Sequence, residues 1–328
     1  MLKYLKSLPP PTAKTLFVAG NQSADMDSCC CALVASYFYK DPRFDSVQPY
    51  IDIPRSELRL RQDIQWLFQQ LEIPLDKIAF KDDNLIQDSS PLFLVDHNWP
   101  NVKGKVHAII DHHKLEGEVI ETEGPNIIRT SGSCMSLVID YFKDHIGWDD
   151  GIVASLAVAP IIQDTANLTQ LDKVEPVDIS SLQFVEKHLP TSITVLFTTI
   201  RKKKRDTSGF SAMDILKKDY KQWESVGISS LPGLYDDLLD KWPDLPETME
   251  QFKQDYQLKE YIGLGSGKVD NRYTRQIGAV GKTLDVESVF GSLNMSFIKT
   301  VGNLNIYNQG VTTANRKIVA PLLRKACN

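Results

Sequence analysis

This chain of 328 residues predicts two α/β domains, the first built on a parallel sheet and the second smaller. Three observations carry that prediction. Short apolar runs alternate with helix-length patterns through the first half, as when strands are joined by crossover helices. The residues that follow three of those runs are acids and histidines, and ligands of open parallel sheets gather at the carboxyl ends of the strands. The composition, 42% hydrophobic and 24% charged, supplies enough apolar surface for two cores.

KTLFVAG (14–20) reads as the first strand, and SCCCALVASYFYK (28–40) as a helix packed behind it. SVQPYIDIP (46–54) is a second strand. ELRLRQDIQWLFQQLEI (57–73) then places Leu58, Leu60, Ile64, Leu67, Phe68 and Leu71 at the 3.6-residue period of one amphipathic helix. PLFLVD (91–96) and VHAIID (106–111) are further strands. SCMSLVIDYFKDHI (133–146) and VASLAVAPIIQDTANL (153–168) are helical, the latter despite Pro160. Alternation of this kind implies a parallel sheet covered on both faces. Beyond Asp172 the pattern weakens, and the junction is placed between about 187 and 197, giving domains 1–190 and 197–328. The second domain reads as a helix at 211–223, strands at 226–231 and 296–302, and a closing helix at 317–326, an α/β or α+β unit.

Charge is unevenly spread. Residues 197–328 hold 20 Lys and Arg against 15 Asp and Glu, whereas 1–196 hold 17 against 27. An acidic front suits cations and a basic back suits anions. There is no run of 18 uninterrupted apolar residues, and MLKYLKSLPPPTAKT lacks the apolar stretch of a secretory signal, so a cytoplasmic protein is expected. The odd count of five cysteines argues against a disulfide framework, and Cys29, Cys30 and Cys31 read as small packing residues of a helix.

The chemistry gathers at the strand ends. The first strand runs into GNQSADMDS, the third into VDHN and the fourth into DHH. Asp25 and Asp27, two apart on a loop, can aim both carboxylates into one cavity. With Asp96, His112 and Asp164 they make four carboxylates and one imidazole, a donor set that suits hard divalent ions. Two such ions roughly 3.5–4 Å apart would activate a water for phosphoryl displacement. Plainer roles are open to each residue: Asp27 or Ser28 as the cap of a helix beginning near Cys29, His97 as a hydrogen-bonding partner of its own loop. Asp164 stands in the apolar stretch APIIQDTANL, where burial requires a cation to face it.

GNQSADMDS, VDHN, DHH and the later SGSCMSL and IIQDT resemble, in order, the signature motifs of the DHH phosphoesterase superfamily. The second half resembles the DHH-associated domain of family-II inorganic pyrophosphatases, fungal exopolyphosphatases and the prune proteins, with DYKQW (219–223) and NRKIVAP (315–321) similar to its phosphate-gripping motifs. The resemblance implies an active site in the interdomain cleft. It implies metal contacts from Asp25, Asp27, Asp96, His112 and Asp164, with Asp96 as the bridge, and places His113 against the phosphoryl group with Asp111 orienting His112. Lys221, Arg316 and Lys317 would bind substrate phosphate, as would Asn21. Pyrophosphatases have a metal-ligating histidine where this chain has Asn21, and the resemblance to yeast-type exopolyphosphatase is closer there. Loss of that nitrogen should favour Mg²⁺, with Mn²⁺ or Co²⁺ as alternatives and up to two ions bound.

The implied activity is an exopolyphosphatase releasing orthophosphate from inorganic polyphosphate with a metal-activated water as nucleophile. Inorganic pyrophosphatase or nucleotide phosphodiesterase is the alternative reaction, and a non-catalytic polyphosphate-binding protein the alternative of another class. An anionic chain also needs a cation track, for which Arg201 to Arg205, Lys217, Lys218, Arg272, Arg275 and Lys282 are candidates. No nucleic-acid or membrane partner is expected, and a monomer is, since no exposed apolar helix face demands a partner.

Overall fold

The computed structural model describes residues 1–98, 103–115, 120–281 and 284–327, so Lys282 lies outside the described residues. The chain divides into two compact units, Met1–Asp206 and Thr207–Asn328. The first unit comprises α1 (Leu2–Lys6), β1 (Thr15–Ala19), α2 (Met26–Phe38), β2 (Ser46–Ile51), α3 (Gln62–Gln70), β3 (Ala79–Phe80), β4 (Pro91–Val95), β5 (Lys105–Asp111), β6 (Asn126–Ile128), α4 (Cys134–Phe142), α5 (Gly151–Asp164), α6 (Pro176–Glu186) and α7 (Ile193–Arg205).

Its six strands are all parallel, in the order β3-β2-β1-β4-β5-β6. The chain therefore winds outward from β1 in one direction and then, from β4, in the other. That reversal opens a crevice beyond the carboxyl ends of β1 and β4, the favoured ligand position in sheets of this kind. The two faces of the sheet are covered unequally. One carries the main core, in which α2 is buried almost all round between the sheet and α5. The other has a smaller apolar cluster, Phe17, Ala19, Tyr50, Ala79, Leu92, Leu94 and Ile109, onto which Leu85, Ile86 and Ile120 pack.

Each fully buried Leu or Phe in the main core contributes about 2 kcal/mol, so α2 is a firm base for the loop at its start. Cys29, Cys30, Cys31 and Cys134 are free thiols in that core. Gly20 lets α2 approach β1, because a Cβ there would lie 2.7 Å from Ser28 Cβ. Among the described residues no helix is long and apolar enough to cross a membrane.

In the first unit, local readings need four corrections. The single helix over 57–73 is a 3₁₀ turn at Arg55–Leu60 followed by α3, with a break at Arg61 (φ −102°, ψ 69°). Arg61 leaves the helical conformation as its buried guanidinium donates twice to the Ser23 carbonyl, at 3.1 and 2.7 Å. α2 starts at Met26 and its cap is Asp25, which accepts from Ser28 N at 3.0 Å, rather than Asp27 or Ser28. α5 stops at Asp164 because Ala166, Asn167 and Leu168 all adopt positive φ. In the stretch where the apolar pattern weakens, α6 begins with Pro176 at its first turn and Asp178 accepting from Glu175 N.

The second unit comprises α8 (Ala212–Lys218), β7 (Tyr220–Trp223), β8 (Val226–Leu231), α9 (Tyr235–Lys241), α10 (Leu245–Asp255), β9 (Glu260–Val269), β10 (Arg272–Val280), α11 (Val286–Val289), β11 (Met295–Val301), β12 (Leu304–Gln309) and α12 (Arg316–Cys327). Its sheet runs β11-β12-β10-β9-β8-β7 and is antiparallel except between β8 and β9. The helix expected over 211–223 ends at Lys218, and Tyr220–Trp223 is an edge strand. Tyr and Trp fit a half-buried pleated surface better than a helix end.

Candidate metal and phosphate site

The carboxyl edge of the first sheet collects the acids. Asp96, just beyond β4, is buried and adopts the left-handed conformation (φ 62°). Its backbone and side chain are tied down by the loop after β1. Asn21 Nδ2 donates to Asp96 Oδ2 at 2.7 Å and to its carbonyl at 3.3 Å, and Ser28 Oγ donates to Oδ2 at 2.6 Å. The amide oxygen of Asn21 accepts from Ser23 N at 2.8 Å. Asn21 thus fastens its own loop to Asp96. Left-handed backbone in a non-glycine residue costs about 1–2 kcal/mol, and these bonds offset it.

At the end of β5, Asp111 is fully buried and accepts from His113 Nδ1 (2.8 Å), from the His112 backbone N–H (2.8 Å) and from Asn98 Nδ2 (2.7 Å). The ring that Asp111 orients is therefore that of His113, not His112 as expected. His112 is oriented instead by the Ser131 carbonyl, 2.9 Å from Nδ1. With Nδ1–H given to that carbonyl, Nε2 of a neutral His112 turns a lone pair toward Asp96 Oδ1, 3.3 Å away. Two acceptors so close require a cation between them, either a proton on Nε2 or a shared metal ion. Asp96, His112 and His113 each offer a ligand atom, all within 4.8 Å of one another.

Asp27 lies in the first turn of α2 and is buried. It takes four hydrogen bonds: Oδ1 accepts from Ser133 Oγ (3.0 Å), Met135 N (3.0 Å) and Cys31 Sγ (3.3 Å), and Oδ2 from Cys134 N (2.6 Å). Burial nevertheless pushes its carboxyl well above the usual range, aided by the charges of Asp96, Asp164 and Asp25 and opposed by His112. Asp164, the last residue of α5, is pushed up to about 6 by burial, with Lys204 pulling down and Asp25 and Asp96 pushing up. Asp96 goes the other way. Burial raises it, but the His112 hydrogen bond, the charges of His113 and His112 and the Ser28 hydroxyl outweigh burial and hold it below the ordinary carboxylate value.

Asp25, Asp27, Asp96, His112 and Asp164, far apart in sequence, thus share one electrostatic neighbourhood. The donor set is oxygen-rich with one imidazole, and the charges of Asp25 and Asp96 help raise the proton affinity of Asp27 and Asp164. A divalent cation relieves that crowding, so these residues fit a hard metal ion.

Lys204, in sequence one member of a basic run, is the cation facing Asp164. α7 packs on α3 and α5, and Gln163 satisfies both neighbours with its amide nitrogen toward Asp63 Oδ2 (3.2 Å) and its oxygen toward Lys204 Nζ (2.8 Å). His97 has the plain role, with Nδ1 3.0 Å from the Val95 carbonyl. In the second unit, Arg316 opens α12 and pairs with Asp219, Nη2 to Oδ1 at 2.8 Å and Nη1 to the carbonyl at 2.8 Å. Lys221 follows two residues later on β7, so those two expected phosphate contacts adjoin. Lys317 is exposed on the first turn of α12.

A parallel sheet with acids at its switch point, followed by a second α/β unit, defines a class, and comparison with known proteins names it. Residues 15–161 match the DHH family, N-terminal domain, and residues 198–326 match the DHHA2 domain. A Schizosaccharomyces pombe protein, "Putative exopolyphosphatase", is 32% identical over 94% of this chain and 89% of its own length. The mouse protein "Exopolyphosphatase PRUNE1" is 28% identical over 94% and 74%. The "Manganese-dependent inorganic pyrophosphatase" of Methanocaldococcus jannaschii is 23% identical over 94% and 98%. Among solved structures, "Crystal structure of Methanococcus jannaschii putative family II inorganic pyrophosphatase" superposes with a TM-score of 0.66 at 20% identity, covering 95% of this chain and 100% of that one, which shows a shared fold. The chain belongs to the DHH phosphoesterase superfamily, with an N-terminal DHH domain and a C-terminal DHHA2 domain.

Proposed function

We propose that this protein is a divalent-metal-dependent exopolyphosphatase that removes the terminal orthophosphate from inorganic polyphosphate. The observation that carries the reading is the grouping of Asp96, His112 and His113, whose ligand atoms lie within 4.8 Å of one another with His112 Nε2 3.3 Å from Asp96 Oδ1, supported by the raised carboxyls of Asp27 and Asp164, on which the Asp96 charge acts. Asp25, Asp27, Asp96, His112 and Asp164 would hold the metal, Mg²⁺ in first place. When bound, divalent cations supply charge neutralisation and a more acidic water.

The chain's own residues do the rest. Water adds to the terminal phosphorus, the bridging P–O bond breaks, and the shortened chain leaves with that oxygen. His113, its Nδ1–H held by Asp111, keeps Nε2 for the phosphoryl oxygens, where an imidazolium form donates to the developing charge. Asn21 acts through Asp96, which it holds in place. Lys221, Arg316 and Lys317 are the cations for the remaining phosphates, and the guanidinium of Arg316 suits two phosphate oxygens at once.

Polyphosphate is favoured over pyrophosphate by Asn21 at the position where the resembling pyrophosphatases carry a metal-binding histidine, and by the names of two relatives. The pyrophosphatase reading keeps the support of three relatives named for that activity. Phosphate release from long-chain polyphosphate, pyrophosphate and a dinucleotide, each with Mg²⁺ and with Mn²⁺, decides between them. Fastest release from polyphosphate is expected, faster pyrophosphate turnover would replace this reading with the second one, and no release from any of the three would leave a binding protein.

A further inference from the structure

The three residues Ser131, Gly132 and Ser133, between β6 and α4, touch both halves of the site. The Ser131 carbonyl sets the His112 ring, and the Ser133 hydroxyl with the next two backbone N–H groups holds the Asp27 carboxylate. What fixes this segment is a carboxylate outside every motif noted in the sequence. Asp178, on α6, is fully buried and accepts four hydrogen bonds: Oδ2 from Gly132 N (2.7 Å) and Glu175 N (2.8 Å), and Oδ1 from Ser136 Oγ (2.6 Å) and Ser133 N (3.3 Å). Gly132 leaves the necessary room, since a Cβ there would stand 2.5 Å from Thr165 Cγ2 and 3.0 Å from Asp178 Oδ2.

We propose that Asp178 is a positioning residue for metal binding: it pins the Ser131–Ser133 turn, and through that turn sets Asp27 and His112 together. A carboxylate is needed because all four partners are donors. The isosteric replacement Asp178→Asn puts an amide there, which would turn its own N–H groups toward N–H groups on one side. Without the tie, the turn can shift and both ligands lose their common setting, although neither touches Asp178. Outer-layer partners of metal ligands typically carry about 10–100-fold of affinity. The role rests on the metal-site reading given above.

The test is calorimetric titration of Mn²⁺ into the full-length, metal-stripped protein, as wild type, Asp178→Asn, Ser133→Ala and the core control Ile139→Val, with melting temperatures measured alongside. Asp178→Asn is expected to weaken Mn²⁺ binding about tenfold or more and Ser133→Ala several-fold, while Ile139→Val lowers the melting temperature and leaves affinity within about twofold. Should Asp178→Asn fail to fold, Ser136→Ala, which removes a side-chain donor to Asp178 Oδ1 and bonds neither Asp27 nor His112, tests the same tie, with several-fold weaker Mn²⁺ binding expected. Affinity unchanged in the folded variants, or lowered equally by Ile139→Val, overturns the positioning role while leaving the metal site standing. A wild type that binds no Mn²⁺ overturns both.

Discussion

The strand side and the helix side of the site use the same acidic side chain to opposite effect. On the strand side Asp96 and Asp111 are surrounded by donors, namely His112, His113, Asn21, Ser28 and Asn98, and both carboxyls are held below their ordinary range although burial pushes up. On the helix side Asp27 and Asp164 sit where α2 begins and α5 ends, among other acids, and both are raised. Hydrogen bonding alone does not explain the difference, since Asp27 has four donors. What differs is whether neighbouring charge outweighs burial: the imidazoles beside the strand-side acids do, whereas on the helix side burial is joined by carboxylates, and Lys204 beside Asp164 and the His112 charge offset only part of it. The strand side is prebuilt, and in the proposed reading a bound cation would complete the charge balance of the helix side.

Asp96→Asn strikes both sides at once, because it removes the carboxylate they share. Phosphate release should fall by a factor on the order of 10³, beyond the roughly 10–100-fold typical of outer-layer partners. Loss of less than about tenfold would deny Asp96 its central place.

Metal-free stability tests the helix side. Raised carboxyls bind protons in the folded state that the unfolded chain has released, so folding stability falls as pH rises from the unfolded value of about 4 through the folded value, about 6 for Asp164. The lowered acids, Asp96 and Asp111, act below that window and with the opposite sign. Thermal melts of stripped protein should therefore show a decline between about pH 4 and about pH 6. Saturating Mn²⁺ at about 100 times its dissociation constant should add about 2.7 kcal/mol at about pH 7. A flat or rising apo profile would mean the helix-side acids are already balanced.

How much of this was legible in the sequence follows the same division. Asp25, Asp96 and the Asp-His-His run could be read because strand ends declare themselves, and a parallel sheet has only one carboxyl edge. Arg61, Lys204, Ser131, Ser133 and Asp178 could not, because each works through an element whose position is set by packing. Lys204 looks like any basic residue of RKKKR until α7 is laid against α5. Asp178 carries a signal, acid and proline at a helix start, but nothing local says which turn its carboxylate holds. In the second unit β9 hides behind Gly263, Gly265 and Gly267, which lower strand propensity. Gly263 yields space to the buried ring of Tyr235, whose hydroxyl would lie 2.4 Å from a Cβ there.

Two smaller effects separate the sides further. Asn21→His restores a nitrogen donor at the strand side and removes the tie to Asp96. The ratio of Mn²⁺ to Mg²⁺ affinity should rise about tenfold, read by competitive titration, and no change in the ratio would exclude position 21 from the metal's surroundings. Lys204→Ala withdraws the cation facing Asp164. The pH window of apo destabilisation should move upward, and KM for polyphosphate should rise about two- to fivefold with kcat less affected. An unmoved window would place Lys204 outside the site's electrostatics.

Diffraction from crystals grown with Mn²⁺, collected for anomalous signal, locates the ion itself. At least one strong peak is expected within about 2.0–2.6 Å of both Asp96 and His112 Nε2, with Asp27 or Asp164 completing the shell. Peaks confined to other parts of the molecule, or density that leaves Asp96 and His112 as a bare hydrogen-bonded pair at saturating metal, would refute a cation shared by these ligands.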